Sequence, residues 1–139
     1  MKMKYKFAFT LIELLVVISV IGILIATVTL SFSGAQQKAR DARRIEDMNS
    51  IQKAMEVYYG ANNYTYPTSQ AALTSNGYLQ TVPNDPKPNP HPNYAWTTLT
   101  VNSYCVCARV ENSNDGNSSS NTCAFVNTGG NFYCVRNRQ

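Results

Sequence analysis

The sequence predicts an α+β chain in which a long N-terminal helix, hydrophobic in its first half and amphipathic in its second, packs on a three- to four-stranded antiparallel sheet. Three observations carry this. Residues 9–33 form an apolar run with no Lys or Arg and a single acid. From Ala35 to Tyr58, apolar residues recur at spacings of three and four, the period of one helix face. Beyond Tyr94, short runs rich in aromatic and β-branched residues carry all four cysteines, and Asn, Ser and Gly links separate the later ones.

The first element is set by its flanks as much as by its composition. Lys2, Lys4 and Lys6 precede the apolar run; without them, nine basic residues face eight acidic ones. The net charge of +4 is thus a property of the extreme N-terminus and does not indicate a nucleic-acid partner. A bilayer-spanning helix needs about 20 apolar residues, so 9–33 is predicted to span with the N-terminus cytoplasmic. A secretory signal cut near Ser33-Gly34-Ala35 fits less well, because its apolar core runs only about 7–15 residues. Glu13 is the exception within the run. A carboxylate in hydrocarbon is costly unless paired. As a first-turn acid, it would gain about 0.3–1 kcal/mol from the helix dipole. A cut between Ala8 and Phe9 would also place a free α-amino group beside it.

From Gly34 the composition changes but the period does not. Ala35, Ala39, Ala42, Ile45, Met48, Ile51, Met55 and Tyr58 are assigned to the buried stripe of the amphipathic half, residues 34–60. Lys38, Arg40, Asp41, Arg43, Arg44, Asp47, Lys53 and Glu56 fall on the other faces and are read as solvated, with Asp41–Arg44 and Arg43–Asp47 at pairing distance. Gly22, Thr27, Thr29 and Gly34 are the weak helix formers of this element. Gly60-Ala61-Asn62-Asn63 ends it.

Residues 61–93 read as a connecting loop with a short helix beginning near Thr68 and ending near Gly77. His91 lies in its Pro-rich turn with no nucleophile or acid around it, so no catalytic site is predicted. Strands are expected at Tyr94–Val101, Tyr104–Val110, Thr122–Val126 and Phe132–Arg136. Alternation puts Tyr104, Val106, Ala108 and Val110 toward the helix stripe and Cys105, Cys107 and Arg109 on the opposite face.

Cys105, Cys107, Cys123 and Cys134 read as a disulfide framework in an oxidising compartment. A zinc site is the weaker reading, since no paired C-x-x-C knuckles occur. Cys105 and Cys107 stand about 6.5–7 Å apart along one strand, near the limit for a mutual bond. Two connectivities remain: 105–123 with 107–134, or 107–123 with 105–134. A hairpin through residues 111–121 would bring Cys107 to Cys123 first and favours the second.

The stretch from Lys6 to Ile18, KFAFTLIELLVVI, followed by Gly22-Ile23-Leu24, resembles the class III signal sequence of type IV pilins and type II secretion pseudopilins. The stretch Asp41 to Pro67, DARRIEDMNSIQKAMEVYYGANNYTYP, resembles the same sequences, and Tyr78 to Pro86 resembles their connecting loop. The resemblance implies a pilin-like lollipop with a basic leader, residues 1–8, removed by prepilin peptidase between Ala8 and Phe9. It implies N-methylation of Phe9 and a role for Glu13 in assembly. Ala8 stands where the family usually has Gly. The implied protein is a non-enzymatic subunit of a type IV pilus-like homo-oligomeric filament, with a type II secretion pseudopilin as the alternative. A membrane-anchored extracellular binding domain is remoter. The partners implied are the prepilin peptidase, an inner-membrane assembly machinery and, before assembly, the cytoplasmic membrane. The head would then be extracytoplasmic and the filament extracellular or periplasmic. Related pseudopilins bind calcium in their sheet loops, which makes Asn112, Asn114, Asp115 and Asn117 a weak calcium candidate. No other cofactor is expected. Asn63-Tyr64-Thr65 and Asn117-Ser118-Ser119 match the glycosylation sequon.

Overall fold

Helix α1 runs over Leu11–Ala61, 51 residues, in a computed structural model that describes residues 9–90, 92–127 and 129–138, without the side chains of 27–31. The leader with Ala8, and His91, lie outside the described residues. Residues up to Gln36 form one compact unit and the chain from Gln37 a second.

In the first unit, α1 starts on a reciprocal cap. The Glu13 backbone N–H donates to Thr10 Oγ1 (3.3 Å), while Glu13 Oε2 accepts from the Thr10 N–H (3.1 Å) and hydroxyl (2.9 Å). This Thr-x-x-Glu box satisfies donors that a helix start leaves orphaned. Every described apolar side chain from Phe9 to Ile25 is exposed. Among the described residues no helix is long and apolar enough to cross a membrane. Part of the span expected over 9–33, the side chains of 27–31, lies outside the described residues.

In the second unit, the buried positions of α1 are Asp41, Arg44, Met48, Ile51, Ala54 and Met55. The stripe expected from the sequence holds from Met48 onward and fails before it: Ala42 is exposed and Ile45 half-buried, and the buried places go to Asp41 and Arg44. The reason is angular. At about 100° per residue, Asp41 lies about 20° from Met48 around the helix and Ala42 about 120°. The helix ends where Asn63 and Tyr64 take positive φ (53° and 57°) and the Tyr64 N–H donates to the Tyr59 carbonyl (3.1 Å).

A short helix α2 (Ala71–Ser75) buries Leu73; it starts three residues later than Thr68 and has no side-chain cap. Three strands follow: β1 (Ala95–Leu99), β2 (Tyr104–Arg109) and β3 (Phe132–Arg136), antiparallel in the order β1-β2-β3. As predicted, Tyr104, Val106 and Ala108 face the helix, joining Met48, Ile51, Met55, Tyr66, Leu73, Tyr94 and Val135 in one core. Cys105, Cys107 and Cys134 gather on the opposite face with Cys123 and Phe132.

The fourth expected strand does not form. Residues 117–126 fold back on themselves: the Ser119 N–H donates to the Ala124 carbonyl (3.1 Å) and the Val126 N–H to the Asn117 carbonyl (3.0 Å). Cys123 sits in this loop at φ 55°. Two close backbone approaches hold the loop against β3. A Cβ on Gly116 would lie 1.9 Å from the Gly130 carbonyl oxygen, and one on Gly130 would lie 2.2 Å from that of Ser118.

Candidate functional site

The cap described above also defines the first site. Glu13 is exposed, and among the described residues its carboxylate has hydrogen-bond partners only on Thr10. Around it, Phe9, Leu11, Ile12, Leu14 and the residues that follow present an apolar surface with this one carboxylate. An exposed apolar surface of this kind is one that lipid or other chains can cover. The Thr10–Glu13 capping signature was readable in the sequence and went unread there, because the carboxylate was considered for its charge alone.

The second constellation was missed for a different reason. Arg44, fully buried, donates through Nε and Nη2 to both oxygens of Asp85 (2.7 and 2.9 Å) and through Nη1 to Asp41 (2.7 Å) and Glu111 (2.9 Å). Arg40 forks onto Glu111 with two contacts of 2.6 Å. Asp41 accepts from the backbone N–H groups of Glu111 (2.9 Å) and Asn112 (2.9 Å), and Asp85 from that of Lys87 (2.7 Å). The Asp41–Arg44 pair anticipated from spacing is present, but inside rather than on a wet face. Among the described residues Arg43 makes no ion pair; Asp47 instead accepts from the Tyr94 hydroxyl.

The electrostatics follow from this packing. The Arg40 hydrogen bond, opposed by desolvation and aided by Arg44, holds the Glu111 carboxyl down at about 2. Burial works against the Arg44 charge, yet its bonds to Asp85, Glu111 and Asp41 raise its pKa overall. Burial, with Glu56 as the neighbouring charge, pushes the Tyr66 phenol up to about 12 and raises Tyr104 as well; both phenols donate to Glu56. These are structural ion pairs and hydrogen bonds, tying α1 to the loop at Asp85 and to the end of β2. They do not converge on a cleft with a nucleophile.

All four cysteines are bridged, as Cys105–Cys123 and Cys107–Cys134. This reverses the pairing the sequence favoured. The expected hairpin would have placed Cys123 beside Cys107, but the neighbour of β2 is β3, where Cys107 and Cys134 are directly opposed with Cα atoms 4.1 Å apart. Cys105, Cys107 and Cys123 have sulfurs close enough to share an ion. Bridged sulfurs offer no thiolate for one.

The calcium candidates are only partly assembled. Asn112 Oδ1 accepts from the Asn114 N–H (3.1 Å), next to a 3-10 turn at Ser113–Asp115. Asn117 turns away: its Oδ1 accepts from the Cys134 N–H (2.7 Å) and its Nδ2 donates to the Cys134 carbonyl (3.0 Å). Its amide therefore clamps β3, and the second sequon is engaged with it. Asn63 is exposed on its turn.

Comparison with known proteins places these features. The prokaryotic N-terminal methylation motif matches residues 3–29. The type IV wide pilus major component PilA4 of Thermus thermophilus is 36% identical over 100 residues, covering 72% of this chain and 70% of the relative. The type II secretion system core protein G of Aeromonas hydrophila is 29% identical over 107 residues, covering 66% of this chain and 74% of the relative. The core protein G of Vibrio cholerae is 32% identical over 87 residues, covering 63% and 57%. No solved structure matches the chain.

Proposed function

Because this chain belongs to the family of type IV pilins and type II secretion pseudopilins, and is a filament subunit of that kind, we propose that it is cut between Ala8 and Phe9, methylated on Phe9 and assembled through residues 9–33. Its role is structural rather than catalytic. The membrane holds the chain before assembly, and prepilin peptidase and an inner-membrane machinery act on it there.

The observation that carries this reading is the exposed apolar stretch with a lone carboxylate in its first turn. A cut after Ala8 puts a new ammonium four residues from Glu13, within the first helical turn. The charges pair between neighbouring subunits: a helix leaves the membrane when its carboxylate meets the amino terminus of another copy. Burial without that partner is expensive, which makes pairing a condition for polymerisation. A pilus and a secretion pseudopilus share this step. Similarity to the core protein G of several secretion systems supports the pseudopilus as the second reading.

The test separates capping from charge. Gln can replace Glu in a capping box but carries no charge. Glu13→Gln and Glu13→Ala should both insert and both lose residues 1–8 by intact mass. Filament yield should fall at least about tenfold in each, the loss of roughly 1.4 kcal/mol of subunit pairing. Normal yield from Glu13→Gln would show that the charge is not needed, and retention of residues 1–8 in the wild-type chain would refute the processing step.

A further inference from the structure

The two bridges are not independent, because their sulfurs touch. Cys105 Sγ lies 3.8 Å, and Cys123 Sγ 3.9 Å, from Cys107 Sγ, whose own bond is to Cys134. Attack geometries begin at about 3–3.5 Å, so each sulfur is roughly half an ångström short of attacking distance. Access differs as well. Cys105, Cys107 and Cys134 are buried, whereas Cys123 is half-buried in the loop at residues 117–126. Of the four, Cys123 is thus the most open to a thiol in solvent, and the bond between Cys107 and Cys134 is shielded.

We propose that the four cysteines form a thiol–disulfide relay in which Cys107 is the fixed hub and Cys134 the thiol it releases. A dithiol reductant attacks Cys123 Sγ and breaks its bond to Cys105. Closure of the reductant into its own disulfide completes a two-electron transfer and leaves Cys105 and Cys123 as thiols. The Cys123 thiolate then attacks Cys107 Sγ and the Cys134 thiolate departs. One S–S bond forms as one breaks, and a proton lost from Cys123 is balanced by one gained at Cys134, so no further electrons are needed.

Strand geometry selects Cys123 rather than Cys105 as the attacking sulfur. A bond between Cys105 and Cys107 would join neighbours on one strand, about 6.5–7 Å apart at Cα and near the geometric limit. A bond between Cys107 and Cys123 instead leaves Cys105 and Cys134 as thiols, with Cys105 Sγ 3.9 Å from the Asn121 carbonyl and Cys134 Sγ 3.6 Å from that of Ser120, much as Cys123 Sγ now lies 3.6 Å from that of Val135. The fold survives the exchange, because β3 stays paired with β2 and Asn117 still holds both backbone groups of Cys134. The Cys107–Cys123 bond is thus one internal exchange away from the two-electron-reduced chain, and the loop at residues 117–126 is its moving part.

The test is partial reduction of the full-length chain in detergent with dithiothreitol, quenched by rapid alkylation and mapped by peptide mass. The two-thiol form should carry label on Cys105 and Cys134, with Cys107 bonded to Cys123. Label on Cys105 and Cys123 with the Cys107–Cys134 bond intact overturns the relay. A second measurement compares opening rates of the Cys107–Cys134 bond. In Cys105→Ser/Cys123→Ser, which lacks the internal nucleophile, opening should be slower by about tenfold or more; an equal rate would refute the internal route.

Discussion

Arg44→Met tests how the second unit is held together. The side chain is fully buried and makes four charge-assisted contacts, two to Asp85 and one each to Asp41 and Glu111. Removing one partner from such a set costs about 3–5 kcal/mol, since the carboxylates left behind remain desolvated. Part of that loss is offset. Asp41 keeps the N–H donors of Glu111 and Asn112, Asp85 keeps that of Lys87, and Glu111 keeps Arg40. Methionine fills most of the volume, which limits any cavity. The lower end, about 3 kcal/mol, is therefore expected. For a domain of this size it corresponds to a fall in Tm of about 12 °C or more. The assay is thermal and urea unfolding of the full-length chain in detergent, followed by near-UV circular dichroism, which reports the tyrosines and Trp96 rather than the exposed half of α1. Arg43→Met, one residue away and exposed, is the control and should shift stability by no more than about 0.5 kcal/mol. If Arg44→Met unfolds with the midpoint of Arg43→Met, the buried network does not stabilise this unit.

Two further outcomes follow from named contacts. Glu111 has a folded-state pKa of about 2, below its ordinary 4.5, so its stabilisation is present above pH 4.5 and lost as pH falls toward 2. Arg40 at the rim is partly solvated, so the wild type should lose only on the order of 2 kcal/mol more than Glu111→Gln across that window. Superimposable stability–pH curves would show that the pair carries no linkage. Gly116→Ala would drive a Cβ to 1.9 Å from the Gly130 carbonyl oxygen and should cost about 3 kcal/mol by urea titration. At Gly60 an added Cβ meets nothing within 4 Å, and Gly60→Ala should be neutral or stabilising by up to about 1 kcal/mol. Equal effects at the two glycines would refute the close approach.

Much of the architecture was legible because it is written in local period. The apolar run with its lone acid and the alternation along β2 are properties of neighbouring residues, so the helix, three of the four expected strands and the two faces of the sheet could be read without a fold. The burial of Asp41 and Arg44 was partly legible. Continuing the spacing back from Met48 in steps of four and three reaches both residues, but hydrophobicity alone led to Ala42 and Ile45, which lie off that face. What the sequence did not contain was the identity of the distant partners, Asp85 and Glu111, that make burying those charges tolerable.

The cysteines draw the same line. By itself the sequence determined that four of them lie together in the last third, that Cys105 and Cys107 share a face, and that Glu13 stands one turn from Phe9. Those are consequences of covalent spacing and side-chain direction. Only the tertiary structure decided that β2 pairs with β3 rather than with residues 122–126, which sets Cys107 opposite Cys134 and leaves Cys123 on a loop over Cys105. Strand pairing is a competition among segments far apart in the chain, settled by packing and by the glycines that allow close backbone approach, and no local pattern records its result.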